Sequence, residues 1–295
     1  MSAPQWHTSG LMWPHRERSR FVDAGGVRWH VQVMGDADTP AVLLLHGTGA
    51  ATHSWRGIAP LLAEHHHVIV PDLPGHGFSS APPDDDHSLP SFATLIAQLL
   101  SALTVTPRLI VGHSAGAAIA ARMSLNGVAD PESIVSINGA LLPLQGLPGQ
   151  IFSPLAKLLA ANSLVPRLFS WRAGDPAVTE RLLRGTGSKI DDETLACYGE
   201  LMRHSSHATA ALKMMAHWNL NSLQRDLPRL KTPLHLIVGS NDRTVPASEA
   251  DRVKALLPKT SITRLLGLGH LAHEEAPDTV LSAIESCLKL EAIVE

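Results

Sequence analysis

A serine between glycines follows a short apolar run near the middle of the 295-residue chain. The apolar run is Leu109 to Val111, and residues 112–116 read GHSAG with Ser114 at the centre. A buried strand that leads through Gly-x-Ser-x-Gly into a helix is typical of a nucleophile elbow, where the serine lies on a very tight turn. The two glycines remove side chains that would collide in such a turn. The pattern predicts that Ser114 attacks a carbonyl group, although five small residues also fit an ordinary turn.

Two further side chains complete the set that a nucleophilic serine requires. A serine hydroxyl is a weak nucleophile at neutral pH and needs a base, which in turn needs an orienting acid. In a sheet of the type described below, the acid and then the base follow the nucleophile along the chain. Asp242 lies in the loop after the apolar run Leu234 to Val238, and His270 follows the apolar stretch Ile262 to Leu266. We therefore predict Asp242 as the acid and His270 as the base, the latter selected by position among seventeen histidines.

Each of these assignments has an alternative. An aspartate in a loop such as 239–246 also caps Asx turns without any catalytic role. Asn138 follows the preceding apolar run and occupies the other position for an acid, but an amide cannot balance the charge of an imidazolium. His273, at the start of the last helix, competes with His270 as the base. We favour Asp242 and His270 because each combines the required chemistry with a position after a predicted strand.

The predicted reaction also needs N–H groups that bind the negative charge developing on the carbonyl oxygen. Ala115, directly after the nucleophile, supplies the first of them. The loop HGTG at 46–49 follows the apolar run Ala41 to Leu45, and its small residues let the backbone approach a substrate oxygen. We predict the Thr48 N–H as the second donor. His46 is interpreted as a structural residue that holds this loop by hydrogen bonding.

Short apolar runs alternate with helical patterns along most of the chain, and this alternation indicates which fold positions the predicted site. Continuous runs such as Val68 to Val70 and Ile134 to Ile137 are expected of strands that are covered on both faces. Apolar residues at three- and four-residue steps within 92–103 and 280–288 indicate amphipathic helices. The order predicts an α/β fold with a doubly wound, mostly parallel sheet. Ligands bind at the carboxyl ends of the strands in such sheets.

The alternation stops between about residues 141 and 230, where helical patterns occur without a convincing strand. We therefore predict a helical cap formed by 141–230 and inserted over the catalytic edge of the sheet, with the core formed by 1–140 and 231–295. Residues 1–19 are polar and irregular and are expected to be a loosely attached lead-in. Val27 to Val33 alternates apolar and polar residues, which is the pattern of a half-exposed strand.

The cap contains large apolar side chains that are either plain core or walls of a substrate pocket. They are Trp171, Met214 and Trp218. His113, next to the predicted nucleophile, is a fourth candidate for the pocket. Such a pocket would suit a bulky, apolar small molecule.

Charge and composition exclude several classes of function. The net charge of −3 offers no basic excess to neutralise phosphates, which argues against nucleic acid as the main partner. The apolar runs fall short of the roughly 18 residues that a membrane span needs, and the N-terminus lacks the apolar core of a signal peptide. Two cysteines far apart favour free thiols in a reducing compartment. We expect a cytoplasmic protein without cofactor or metal, and peripheral contact with a membrane stays open.

Five motifs together resemble the α/β-hydrolase fold family along essentially the whole chain. They are HGTG at 46–49, PDLPGHGFSS at 71–80, GHSAG at 112–116, GSNDRTVP at 239–246 and GLGHLAHEEAP at 267–277. The resemblance implies the same roles for Ser114 as nucleophile, Asp242 as acid and His270 as base. Serine at the nucleophile position differs from the aspartate of those members that act as epoxide hydrolases or dehalogenases.

Three longer segments narrow the resemblance. Residues 13–35, 46–56 and 207–220 are similar to the bacteriochlorophyll-biosynthesis hydrolase family BchO, whose members are also named magnesium-chelatase accessory proteins. The resemblance implies a role in tetrapyrrole metabolism around magnesium insertion, with a porphyrin and magnesium-chelatase subunits as candidate partners. The sequence contains no Gly-x4-Gly-Lys-Ser/Thr loop, which is the nucleotide-binding loop expected of a chelatase motor.

Two functions are compatible with these patterns. The first is a cofactor-free serine hydrolase that cleaves an ester or related acyl bond of a bulky apolar substrate. The second is a non-catalytic accessory protein or porphyrin carrier that assists magnesium chelatase and retains the three side chains without using them. The complete set of nucleophile, acid, base and oxyanion loop favours the first function.

Overall fold

A computed structural model describes residues 2–143, 168, 170–173 and 175–291. The described strands are β1 (Ser19–Ala24), β2 (Val27–Met34), β3 (Ala41–Leu45), β4 (His67–Pro71), β5 (Pro107–His113), β6 (Ser133–Ile137), β7 (Leu234–Gly239) and β8 (Ser261–Leu265). They form one sheet in the order β1-β2-β4-β3-β5-β6-β7-β8. The pairs β1–β2 and β2–β4 are antiparallel, and the other neighbours are parallel. This sheet confirms the predicted α/β fold.

Helices connect the strands. They are α1 (Ala59–Leu62), α2 (Leu89–Leu103), α3 (Ala115–Leu125), α4 (Pro176–Gly185), α5 (Asp192–Met202), α6 (Ser205–His217), α7 (Asn221–Asp226), α8 (Glu249–Leu256), α9 (Ala272–Glu275) and α10 (Pro277–Glu291). Between β6 and β7, where the sequence predicts a cap, the described residues form α4 to α7. The rest of the predicted cap, at 144–167, 169 and 174, lies outside the described residues. None of the helices described is both long enough and apolar enough to cross a bilayer.

The sheet is buried on both faces because its central strands consist of apolar residues throughout. In β3, Leu43 and Leu45 point to one face and join a core cluster that includes residues of α2 and α3. Val42 and Leu44 point to the other face and join a cluster that includes residues of α10. The two cores hold the central strands in place, so the loops at their carboxyl ends start from fixed points.

The N-terminal segment, residues 2–18, is attached more firmly than the sequence predicts. Trp13 is 3% exposed, and its Nε1 donates a hydrogen bond to the Thr52 hydroxyl at 2.8 Å. At the other end of the segment, the Ser2 N–H donates to the Ser205 hydroxyl of α6 at 3.1 Å. The segment therefore links the core to a helix of the cap region, and the expectation of a loose lead-in is wrong.

This segment also explains why β2 is not half-exposed as predicted. The side chains of His30 and Gln32, which the alternating pattern assigns to a solvent-facing side, are buried. The ring of Trp6 lies 4.8 Å from the His30 ring, and Gln32 Nε2 donates to the Pro14 carbonyl at 2.6 Å. His30 Nδ1 also lies 2.7 Å from Oδ2 of the buried Asp72. The polar positions of β2 therefore differ in their surroundings, since Gln32 bonds to the N-terminal segment and His30 to Asp72, whereas Arg28 is exposed.

Candidate active site

Ser114 lies at the junction of β5 and α3, in a backbone conformation that residues other than glycine rarely adopt. Its φ is 51° and its ψ is −115°. Both flanking glycines are required by close contacts. A Cβ on Gly112 would lie 2.4 Å from the Ala117 nitrogen, and a Cβ on Gly116 would lie 2.1 Å from the Leu45 carbonyl oxygen. This tight turn holds the half-buried Ser114 at the carboxyl end of β5.

Asp242 and His270 are brought together by the loops that follow β7 and β8. His270 Nδ1 lies 2.7 Å from Asp242 Oδ2, and both side chains are buried. The other carboxylate oxygen, Oδ1, accepts the N–H groups of Thr244 at 2.7 Å and Val245 at 2.9 Å. The two interpretations of this aspartate are therefore compatible, since one oxygen caps the turn and the other contacts the imidazole. The arrangement fixes the ring orientation and leaves Nε2 as the nitrogen available to other groups.

Asn138, rejected as the acid, connects the two loops instead. Its φ is 45°, and its side-chain Nδ2 donates to the carbonyl oxygens of Gly269 at 2.9 Å and His270 at 2.8 Å. Its Oδ1 accepts the Gly239 N–H at 2.7 Å. An amide is suited to this position because it donates and accepts at once, which a carboxylate does not. The sequence places Asn138 at the right edge of the sheet but does not reveal this role.

His113, the fourth candidate for the substrate pocket, contacts the loop of His270. Its side chain is buried, and its Nε2 donates to the His270 carbonyl oxygen at 2.9 Å. Its ring centroid lies 4.7 Å from that of His270 and 4.3 Å from that of His273. Burial, reinforced by these neighbouring histidines, holds the pKa of His113 well below the usual range. The neutral ring therefore supports the backbone of His270 from behind.

The loop at 46–49 lies directly against the serine. A Cβ on Gly47 would lie 3.0 Å from the Cβ of Ser114. His46 holds the loop as interpreted from the sequence, since its Nδ1 donates to the Gly47 carbonyl oxygen and its Nε2 accepts the Leu73 N–H, each at 2.8 Å. Burial lowers the pKa of His46, which keeps the ring neutral and able to accept. Thr48 is half-buried beside this contact.

The three cap residues considered for a substrate pocket lie in different environments. Met214 is fully buried, and its Sδ lies 3.3 Å from the Thr48 hydroxyl, so it borders the loop next to Ser114. Trp218 packs against the core, with its ring 6.1 Å from that of Phe92. Trp171 is 73% exposed, which does not fit a residue that encloses a substrate. Of the three, only Met214 is placed beside the serine by the contacts described.

Residues shortly after the predicted base belong to a buried polar cluster, which the sequence analysis did not predict. Glu274 Oε1 accepts hydrogen bonds from the Ser54 hydroxyl at 2.6 Å and the Tyr198 hydroxyl at 2.9 Å. Burial raises the pKa of Glu274 to about 7 and outweighs the two hydrogen bonds, which lower it. His273, the competing base, lies 2.8 Å from the Ser54 hydroxyl, and burial lowers its pKa to about 3. His273 is thus engaged with Ser54, and the imidazole beside Asp242 belongs to His270.

A cavity of about 490 Å³ lies away from these groups. It is lined by residues of both the N-terminal segment and α6, among them Trp6 and Lys213, and by Phe78, and neither Ser114 nor His270 borders it. In the part of the chain that the structure describes, no three His, Cys, Asp or Glu side chains are grouped so as to hold a metal ion.

The sheet order and the site at its carboxyl edge define the class of protein. The model of the alpha/beta hydrolase fold family matches residues 40–277, so the chain belongs to this family. A putative lipase from Acinetobacter baumannii AYE superposes with a TM-score of 0.77 at 24% identity, covering 93% of this chain and 92% of the lipase. An alpha/beta hydrolase fold protein from Burkholderia ambifaria gives 0.75 at 24% identity, covering 90% and 96%. These two likenesses show the fold.

One relative in sequence supports a narrower family than the fold alone does. The magnesium-chelatase 30 kDa subunit of Rhodobacter capsulatus is 39% identical over 266 residues, which cover 90% of this chain and 93% of the relative. The match spans the core and the cap region together. It confirms the narrower resemblance found in the sequence.

Proposed function

We propose that the protein is a serine hydrolase that cleaves an ester or related acyl bond. The observation that carries this proposal is the 2.7 Å contact between His270 Nδ1 and Asp242 Oδ2, at the sheet edge where Ser114 lies on its strained turn. An imidazole oriented by a buried carboxylate next to such a serine is the arrangement that acyl transfer requires. The buried pair of His30 and Asp72 has the same 2.7 Å contact, so it is the position of Asp242 and His270, after β7 and β8 at the edge that carries Ser114, that supports a catalytic role.

The proposed reaction gives each of these groups a defined role. Ser114 Oγ attacks the substrate carbonyl carbon while His270 Nε2 takes its proton, and Asp242 stabilises the imidazolium that forms. The N–H groups of Thr48 and Ala115 bind the oxyanion. His270 then returns the proton to the leaving group, and water, activated by the same imidazole, releases the acyl group from Ser114.

The substrate class is proposed from the cap and from the relative. Met214 places an apolar side chain against the loop beside Ser114, which suits a bulky apolar acyl or alcohol group. The 39% identity to a magnesium-chelatase subunit supports a place in bacteriochlorophyll biosynthesis, with a magnesium-tetrapyrrole or its precursor as substrate. It also supports magnesium-chelatase subunits as partners.

The second candidate is a non-catalytic accessory protein that carries a porphyrin for magnesium chelatase. The name of the same relative favours it, since that protein is called a 30 kDa subunit of magnesium chelatase and not a hydrolase. In this case cap substitutions would abolish function, whereas loss of the Ser114 hydroxyl would not.

A fluorophosphonate probe separates the two candidates because it reacts with an activated serine and not with an ordinary hydroxyl. We expect labelling of the wild type and of Ser206→Ala, a control at another half-buried serine, and no labelling of Ser114→Ala. Pigment synthesis should then fail in cells that contain only Ser114→Ala. An unlabelled wild type, together with normal pigment in the Ser114→Ala strain, would exclude the proposed hydrolase activity.

A further inference from the structure

Residues 186–188, which follow α4 in the cap region, contact the loops of both the proposed acid and the proposed base. The Thr186 carbonyl oxygen accepts the N–H of Arg243, next to the acid, at 3.1 Å. The same oxygen accepts the N–H of His270 at 3.4 Å. One atom of the cap region therefore bonds to both loops, although the loops follow different strands.

The next two residues continue these contacts. The Gly187 carbonyl oxygen accepts a hydrogen bond from Asn241 Nδ2 in the acid loop. Ser188 Oγ accepts the N–H of Leu271, the residue after the base, at 2.8 Å. Both Ser188 and Leu271 are buried, so water does not compete for this hydrogen bond.

The packing here leaves no room for additional side-chain atoms. Gly187 has a φ of 89°, and a Cβ on it would lie 2.0 Å from the Asn241 carbonyl oxygen. A Cβ on Gly269, in the base loop, would lie 2.4 Å from both the nitrogen and the Oγ of Ser188. Glycine on each side allows the chain of the cap region to pass directly against the two loops.

We infer that Thr186, Gly187 and Ser188 form a positioning element that sets the hydrogen bond between Asp242 and His270. The inference rests on the proposed function, because the geometry matters for turnover only if Ser114 reacts. The other contacts to the His270 backbone come from the core, where Asn138 and His113 hold its carbonyl oxygen. The cap region supplies acceptors for its amide and for the amide that follows. Without them, His270 would be fixed on one side only.

The test compares two buried serines of the cap region whose hydroxyls each accept one backbone N–H. Ser188→Ala removes the acceptor for Leu271, and Ser205→Ala removes the acceptor for Ser2, in the N-terminal segment. The first readout is the far-downfield NMR signal of the proton shared by His270 and Asp242, which His270→Gln assigns by abolishing it. The second is fluorophosphonate inactivation, separated into the apparent affinity and the maximal rate.

We expect Ser188→Ala to broaden or shift the NMR signal and to lower the maximal inactivation rate about tenfold, with the apparent affinity unchanged. Ser205→Ala should match the wild type in both readouts. The inference is overturned if Ser188→Ala and Ser205→Ala behave alike, or if the wild type shows no such proton signal. Should the wild type resist the probe, the proposed function fails, and the NMR comparison still decides the positioning role because it does not depend on reaction at Ser114.

A second variant guards against a folding defect in Ser188→Ala. Asn241→Ala releases the Gly187 carbonyl oxygen from the side of the acid loop and leaves the cap sequence intact. It should change the NMR signal in the same direction. A folded Asn241→Ala protein with the wild-type signal and the wild-type inactivation rate would contradict the inference.

Discussion

Replacing Glu274 by glutamine should change how the stability of the protein depends on pH. The carboxyl group is buried, and only its Oε1 has hydrogen-bond donors, from Ser54 and Tyr198. Burial raises its pKa from 4.5 to about 7, opposed by these donors and by the charge of Arg56 and assisted by the charge of Asp191. His273, 3.7 Å away, has a pKa of about 3 and so carries no compensating charge above that pH.

The sign and the size of the effect follow from proton linkage. Below pH 4.5 both the folded and the unfolded chain hold the proton, and the full contribution of the protonated group is present. Between pH 4.5 and about 7 the unfolded chain loses the proton while the folded chain keeps it, so the free energy of unfolding falls as the pH rises. At about 1.4 kcal/mol for each pH unit, Glu274 removes on the order of 3 kcal/mol over this range.

Urea unfolding followed by tryptophan fluorescence, repeated between about pH 5 and pH 8, measures this effect. The quantity of interest is the difference in unfolding free energy between the wild type and Glu274→Gln, in which the other titrating groups largely cancel. We expect this difference to fall steadily up to about pH 7 and then to level off. The exposed Glu64 provides the control, because Glu64→Gln makes the same chemical change at a side chain that the fold does not bury. A flat or rising difference for Glu274→Gln would show that the folded protein holds this carboxyl group ionised.

Four further predictions concern the core and the site. Burial lowers the pKa of His53 from 6.5 to about 3 and that of His207 from 6.5 to about 4, so the free energy of unfolding should fall as the pH drops below 6.5. In the same urea titrations, His207→Gln should reduce the slope of the unfolding free energy against pH by up to about 1.4 kcal/mol per pH unit. Gly116→Ala should cost about 3 kcal/mol or more in thermal unfolding, because its Cβ would meet backbone at 2.1 Å; an unchanged melting temperature would contradict the close contact. Asn138→Ala should slow fluorophosphonate labelling at least about tenfold at saturating probe, since three hydrogen bonds that hold the two loops are lost. Trp13→Ala should cost about 3 kcal/mol or more in urea unfolding and expose the N-terminal segment to limited proteolysis, which a loosely attached segment would show already in the wild type.

The central strands could be predicted from the sequence because their composition is dictated locally. Continuous apolar runs such as Ala41 to Leu45 leave few structures other than a strand covered on both faces. That Asp242 and His270 lie together could be predicted for a related reason, since loops after parallel strands end at one edge of the sheet. Position relative to a strand, more than residue type, is what separated His270 from the other histidines.

The buried polar contacts could not be predicted because their partners are far away in the chain. Ser54 and Glu274 are separated by 220 residues, and no local pattern distinguishes this glutamate from an exposed one. The alternating pattern of β2 misled for the same reason, as the side chains of His30 and Gln32 bond to Ser19 and Pro14 and not to solvent. Periodicity reports which side of a strand is polar, but it does not report what covers that side.

The cap region contacts the core at two places in the proposed catalytic site, so the cap should affect the rate of reaction as well as the choice of substrate. Residues 186–188 hold the loops of Asp242 and His270. In addition, His207 of α6 donates through Nε2 to the Gly49 carbonyl oxygen at 3.1 Å, next to the proposed oxyanion donor. A substitution in the cap that shifts either contact is therefore expected to displace the proposed catalytic groups. Exchanging this cap for that of another family member should accordingly lower the rate of reaction with small, unselective esters, not only change which large substrates are accepted.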